Sequence, residues 1–121
     1  MGKTLRKIAI PEPLRKFLRQ VHAKIEAGDE PTSIESDDLL QDHLAYSVFL
    51  GYEAGLFRFC YFPGAYLVPT WDFRVALEEI RRIATGETDH LSLWKCDDPA
   101  CACLYESEDA YCDGCARQNS N

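Results

Sequence analysis

Long apolar runs are missing from this chain. None approaches the roughly 20 residues that a membrane-spanning helix needs, so no membrane partner is expected. A secretory signal is not visible either: MGKTLRKIAIPEPLRK begins basic, but its apolar stretch is only Ile8-Ala9-Ile10 before Pro11. Arg6 stands where N-myristoylation wants Ser or Thr. No HExxH, Walker loop, GxSxG or GxGxxG occurs, and no internal repeat or low-complexity segment. These absences lead to the expectation of a cytoplasmic protein that is not an enzyme. In such a compartment thiols stay reduced, so a disulfide framework is not expected.

What is present fits one domain. The chain has 121 residues, 46% of them hydrophobic, with two Trp, six Tyr and six Phe, which excludes wholesale disorder. A domain of this size buries a real but small core, so a staple at one end would be useful. The formal net charge of −7 hides an asymmetry. Residues 1–28 carry seven Lys/Arg against Glu12 and Glu26, and the remainder carries six against eighteen acids. A basic leading helix on an acidic body can dock on an acidic partner, on nucleic acid or on its own body. Arg15, Lys16, Arg19 and Lys24 are the candidate partner contacts.

The helix itself is read from its period. Pro11 and Pro13 suit a first turn, and Leu14, Phe17, Leu18, Val21 and Ile25 form one apolar stripe that Gly28 closes. The four cations lie mostly off that stripe and are expected in solvent. Leu40, Leu44 and Val48 fit a helix, but the chain is expected to be extended from Tyr46 onward. Gly51 to Gly55 reads as a hairpin loop leading into the aromatic strand LFRFCYF. In TWDFRV, Trp71, Phe73 and Val75 alternate with Asp72 and Arg74. Leu77, Ile80, Ile83 and Ala84 mark a second helix stopped by Gly86, and HLSLW is a short strand running into Cys96. The sum predicts an α+β fold: a small antiparallel sheet, two helices and a C-terminal cysteine-bearing appendix. Its divisions are an α+β body over 1–90, the cysteine segment over 91–116 packed on the same domain, and a frayed tail over 117–121.

Five of the six cysteines fall within twenty residues, as Cys96-x4-Cys101-x-Cys103-x8-Cys112-x2-Cys115. Cys112-Asp113-Gly114-Cys115 has the CxxC form of a redox pair, but that mechanism wants the motif at a helix start, and six residues follow it. Two short cysteine loops separated by 8 to 10 residues suit a tetrahedral metal site instead. Four sulfurs select zinc or iron.

The segment WKCDDPACACLYESEDAYCDGCA resembles the zinc ribbon of the rubredoxin type. Trp94, Cys96, Cys101, Tyr105, Cys112 and Cys115 sit where that family has an aromatic residue, a first knuckle, a strand tyrosine and a CxxC knuckle. The resemblance covers residues 91–116 only, and it implies a local ribbon fold with Cys96, Cys101, Cys112 and Cys115 as ligands. Two departures stand out: the first knuckle is C-x4-C in place of C-x2-C, and Ala102 replaces the usual glycine. Cys103 is the alternate ligand, and if Cys101-x-Cys103 is the first knuckle, Cys96 becomes the spare. Cys96 is preferred because it follows the strand and Trp94 directly. Cys60 is expected in the core.

With four thiolates bound, no open position remains, so such a zinc is structural, not catalytic. A rubredoxin-like iron electron carrier is the alternative at the same thiolates. His22, His43 and His90 lie at element edges and are not expected as ligands, and no spacing supports a triad of Cys60 with a histidine. Asp37-Asp38 and Glu78-Glu79 read as solvated pairs. From Trp94 onward, Lys95 and Arg117 face six carboxylates, so the ribbon is a poor reader of nucleic acid. The expected function is a non-enzymatic protein-interaction or regulatory module with a structural zinc site of four cysteines. An inhibitor or immunity-type protein for a basic partner fits the acidic body, as does a nucleic-acid-associated regulator using the basic first helix.

Overall fold

The computed structural model describes residues 3–36, 39, 45–63, 71–97 and 103–106. Its elements are β1 (Lys3–Ala9), α1 (Glu12–Glu26), a 3-10 turn (Pro31–Ser33), β2 (Tyr46–Glu53), β3 (Leu56–Phe62), β4 (Trp71–Ala76), α2 (Leu77–Thr85), β5 (His90–Cys96) and β6 (Leu104–Tyr105). The strands form one six-stranded sheet in the order β1-β5-β6-β4-β3-β2. The α+β class is as expected. The sheet is mixed, however, because β6 runs parallel to β4 while every other neighbour pair is antiparallel.

Helix α1 forms where the stripe predicts. Pro11 precedes it in extended backbone, Glu12 sits in its first turn and Lys24 in its last, both complementing the helix dipole. Leu14, Phe17, Leu18 and Val21 are fully buried. Helix α2 follows β4 without a loop, carries Glu78 and Glu79 in its first turn, and ends on Gly86 at φ +84°. That left-handed conformation is cheap for glycine and stops the helix. Both helices join one core with alternate residues of the strands: Phe57, Phe59 and Tyr61 from β3, Trp71, Phe73 and Val75 from β4, Leu91 and Leu93 from β5. The intervening residues, including Arg58, Cys60, Arg74 and Trp94, point to the face that the helices do not cover.

The hairpin between β2 and β3 is tighter than the sequence predicts. Its turn is only Ala54 and Gly55, both at positive φ (+54° and +82°), the geometry that matches strand twist. The register shifts between Phe49 and Gly51, so Leu50 is accommodated as a bulge and remains exposed.

Strand β1 is not foreseen in the sequence, which reads the N-terminal segment only as a basic lead into α1. It pairs along its whole length with β5, from Lys3 opposite Cys96 to Ala9 opposite His90. Helix α1 then carries the chain from this edge to the opposite edge, where β2 lies. The expected solvation of Arg15 is also corrected. Its side chain is 11% exposed, and its Nη1 donates to the carbonyls of Ile83 (2.7 Å) and Thr88 (3.3 Å) at the end of α2. Arg19 donates to the Ala84 carbonyl at 3.3 Å and pairs with Glu12 at 3.2 Å. A cation at a helix C-terminus meets unpaired carbonyls and the negative end of the dipole. Arg15→Ala should therefore cost about 1.5–3 kcal/mol, the scale of a hydrogen bond from a charged donor. A downward shift of the urea midpoint, with Arg19→Ala shifting it less, is the expected measurement.

Candidate metal centre

The described part of the cysteine segment is built into the sheet. Its first strand, β5, pairs with β1 on one side and with β6 on the other. Leu104 of β6 lies opposite Lys95 and beside Trp71, and Tyr105 lies opposite Trp94 and beside Asp72. The two-residue β6 thus fills the seam between β5 and β4. Leu104 is buried in the main core, and Glu106 just beyond reaches Arg74 at 3.7 Å.

Next to the Lys95–Leu104 pair, Cys96 ends β5 and Cys103 immediately precedes β6. Both are buried, 6% and 5% exposed, and they form a small cluster of their own with Tyr105 against it. Alternation places them with Trp94 on the face turned away from the helices, since Leu91 and Leu93 face the main core. Two cations flank the pair. Lys3 is the direct register partner of Cys96, with its Nζ 5.7 Å above the Tyr105 ring. Lys95 donates from its Nζ to the Cys96 carbonyl at 3.0 Å. Thr4 ties the adjoining loop to β1, its hydroxyl donating to Asp97 at 2.6 Å.

Of the predicted ligands, Cys96 and the alternate Cys103 are therefore brought together. Cys101, Cys112 and Cys115 lie outside the described residues, as do His43, Asp37, Asp38 and the tail over 117–121. Among the described residues no group of three or more metal-ligating side chains occurs. Two neighbouring buried thiols equal half the donors of a tetrahedral sulfur site, and their chemistry would suit a soft ion.

Cys60 stands apart from this pair. It is half-buried on the uncovered face of β3, not in the core as expected. Burial, and then the nearby Asp72 carboxylate, push its thiol up to about 11. A thiol that stays protonated at neutral pH is a poor nucleophile and a poor ligand. Asp72 itself is engaged by Arg58, which donates from Nε and Nη2 at 3.0 and 2.7 Å. His22 lies in α1, 3.3 Å from Glu26, and His90, 2.7 Å from Asp89, stands at the opposite end of β5 from Cys96.

The candidate partner contacts divide. Arg15 and Arg19 are spent on the end of α2, whereas Lys16 is exposed and Lys24 half-buried. A recess of about 360 Å³ lies beside the β2–β3 turn, walled by Leu50, Tyr52, Leu56, Arg58 and Arg74. Both of its guanidiniums are ion-paired, to Asp72 and Glu106. Among the described residues no helix is long and apolar enough to cross a membrane. Comparison of the chain with family models, with curated proteins and with solved structures finds no match in any of the three.

Proposed function

We propose that the chain is a non-enzymatic protein-interaction module whose C-terminal segment is clamped by one structural zinc held in thiolates. The observation that carries this reading is the Cys96–Cys103 pair, buried together outside the main core. With Cys96, Cys101, Cys112 and Cys115 as ligands, and Cys103 as the alternate, every coordination position is filled by sulfur, which leaves the ion a structural role. The binding free energy of such an ion, on the order of 10 kcal/mol in peptide sites, adds directly to folding. As for the partner, residues 25–57 contain no Lys or Arg, and Glu26, Asp29, Glu30 and Glu35 are all exposed. An acidic surface of that kind steers a basic protein. The engagement of Arg15 and Arg19 by α2 leaves the first helix fewer cations for phosphate, which weighs against the nucleic-acid reading.

The test is metal analysis of protein purified without chelator, together with its visible spectrum. One equivalent of zinc and a colourless solution are expected. One equivalent of iron with a ferric-thiolate spectrum would make the chain an electron carrier instead, and protein that is folded yet metal-free would overturn the site.

A further inference from the structure

We infer that the outer edge of β1 takes up an extended acidic peptide segment as an added strand of the sheet. This surface does not depend on the proposed ion, and it is opposite in sign to the acidic one above. Among the described residues, β1 is a terminal strand, hydrogen-bonded to β5 on one side only. In an antiparallel pair, alternate residues turn their N–H and C=O groups away from the partner. Over the seven residues Lys3–Ala9 the register with β5 is unbroken, and neither a bulge nor a proline interrupts that outward row. Thr4, Leu5, Arg6 and Lys7 are exposed in succession, Leu5 by 51%. The other edge strand, β2, is less suited, because its register shifts at Leu50.

Charge commits the β1 edge to an acidic occupant. Arg15, Arg19, Arg58, Arg74, Arg81 and Arg82 each reach a carboxylate of the chain. Arg6 is the one described arginine that does not, and Lys7 beside it also has no acidic partner among the described residues. Arg6 lies opposite Leu93 and Lys7 opposite Ser92, so the two cations stand on opposite faces of the sheet. A strand paired to β1 meets one cation on each face. Two successive acidic residues match both, and an apolar residue after them covers Leu5. Opposite charges directly across a ladder stabilise it, whereas like charges destabilise it. A second copy of β1 is refused on that ground, since a centred antiparallel pairing sets Arg6 against Arg6. Basic edges guard against self-association in this way, and an acidic strand is the occupant such a guard admits. Main-chain pairing then supplies affinity, and the flanking side chains supply selectivity.

The probe is a fluorescent, end-capped peptide, Thr-Val-Glu-Glu-Val-Thr-Glu, whose antiparallel register sets its adjacent glutamates against Lys7 and Arg6. Binding to the full-length protein is followed by anisotropy, with amide exchange of β1 read in parallel. Saturable binding and slower exchange within residues 4–8 are expected. Arg6→Glu/Lys7→Glu should bind at least about tenfold more weakly, as two attractions become repulsions. The same variant should instead accept the peptide with lysine in place of glutamate. N-methylation of the glutamate peptide at alternate residues separates strand pairing from charge. Methylating one alternate set should abolish binding and methylating the other should not, because only one set donates to β1. Absence of binding, binding indifferent to the double substitution, or equal tolerance of both methylated sets overturns the inference. Competition by an oligothymidylate at equal affinity would mark a general anion surface and overturn it too. Should the double variant not fold, the methylated peptides decide on the unaltered protein alone.

Discussion

Stripping the proposed ion should open the centre of the sheet, not merely loosen its end. Between β5 and β4 the described chain supplies only Leu104 and Tyr105. Without them the two strands would be separated by a gap about one strand wide, roughly 10 Å centre to centre. Such a short strand does not hold itself. Each hydrogen bond contributes a net ~0.5–1.5 kcal/mol, while ordering a residue's backbone costs ~1–2 kcal/mol. Its place depends on its anchors, and Cys103 immediately precedes Leu104 while Cys96 ends the neighbouring β5. Ion binding on the order of 10 kcal/mol is comparable to the whole stability of a domain, ~5–15 kcal/mol. Chelation is therefore expected to lower the thermal midpoint by more than about 10 °C. Amide exchange should accelerate first around Trp94–Lys95 and Trp71–Asp72, with α1 protected longest. An unchanged melting curve in verified metal-free protein would mean that packing, not an ion, seats β6.

Truncating Phe59 should be the most damaging single change in the core. The residue is fully buried, and its ring meets Phe49 at 5.4 Å, Phe73 at 5.8 Å, Phe17 at 6.2 Å and Phe57 at 6.5 Å. It is the point where α1, β2, β3 and β4 share one cluster. Phe59→Ala removes both the transfer free energy of the ring and the contacts of those neighbours, and Phe→Ala changes in cores cost about 3–5 kcal/mol. That is a large fraction of a domain's stability. A urea midpoint far below that of the unaltered protein is expected, with the slope retained. Cys60→Ser, one residue away but on the uncovered face, should move the midpoint little. Equal effects would show that the two faces of β3 are not as differently buried as the alternation indicates.

The contrast between those neighbours was legible beforehand. In LFRFCYF the aromatic period of two marks one covered face, and the structure buries Phe57, Phe59 and Tyr61 there. The stripe of α1, the stop at Gly86 and the inward set Trp71, Phe73 and Val75 were equally readable, because each is set by local period or by backbone that one residue type adopts cheaply. Strand β1 was not. Its exposed, largely basic sequence carries no strong pattern, and it is extended because β5 pairs with it along all seven residues. Nor could two residues announce β6, whose identity lies wholly in its neighbours.

The cysteine segment divides the same way. Its spacing leads to the expectation of a soft ion held by four sulfurs, on the premise that the thiols stay reduced. Which thiols face one another is a different kind of fact. A cross-strand partner is fixed by the register of a sheet, and that register here is set by residues far apart in sequence: β5 against β1 and β6 against β4. Likeness to a ribbon knuckle counted residues along the chain and chose Cys101, which lies outside the described residues, whereas the fold packs Cys103 against Cys96. Period settled where the helices lie. Only the folded sheet decided that Leu104 and Tyr105 form a central strand, because pairing between distant strands leaves no periodic trace in the sequence.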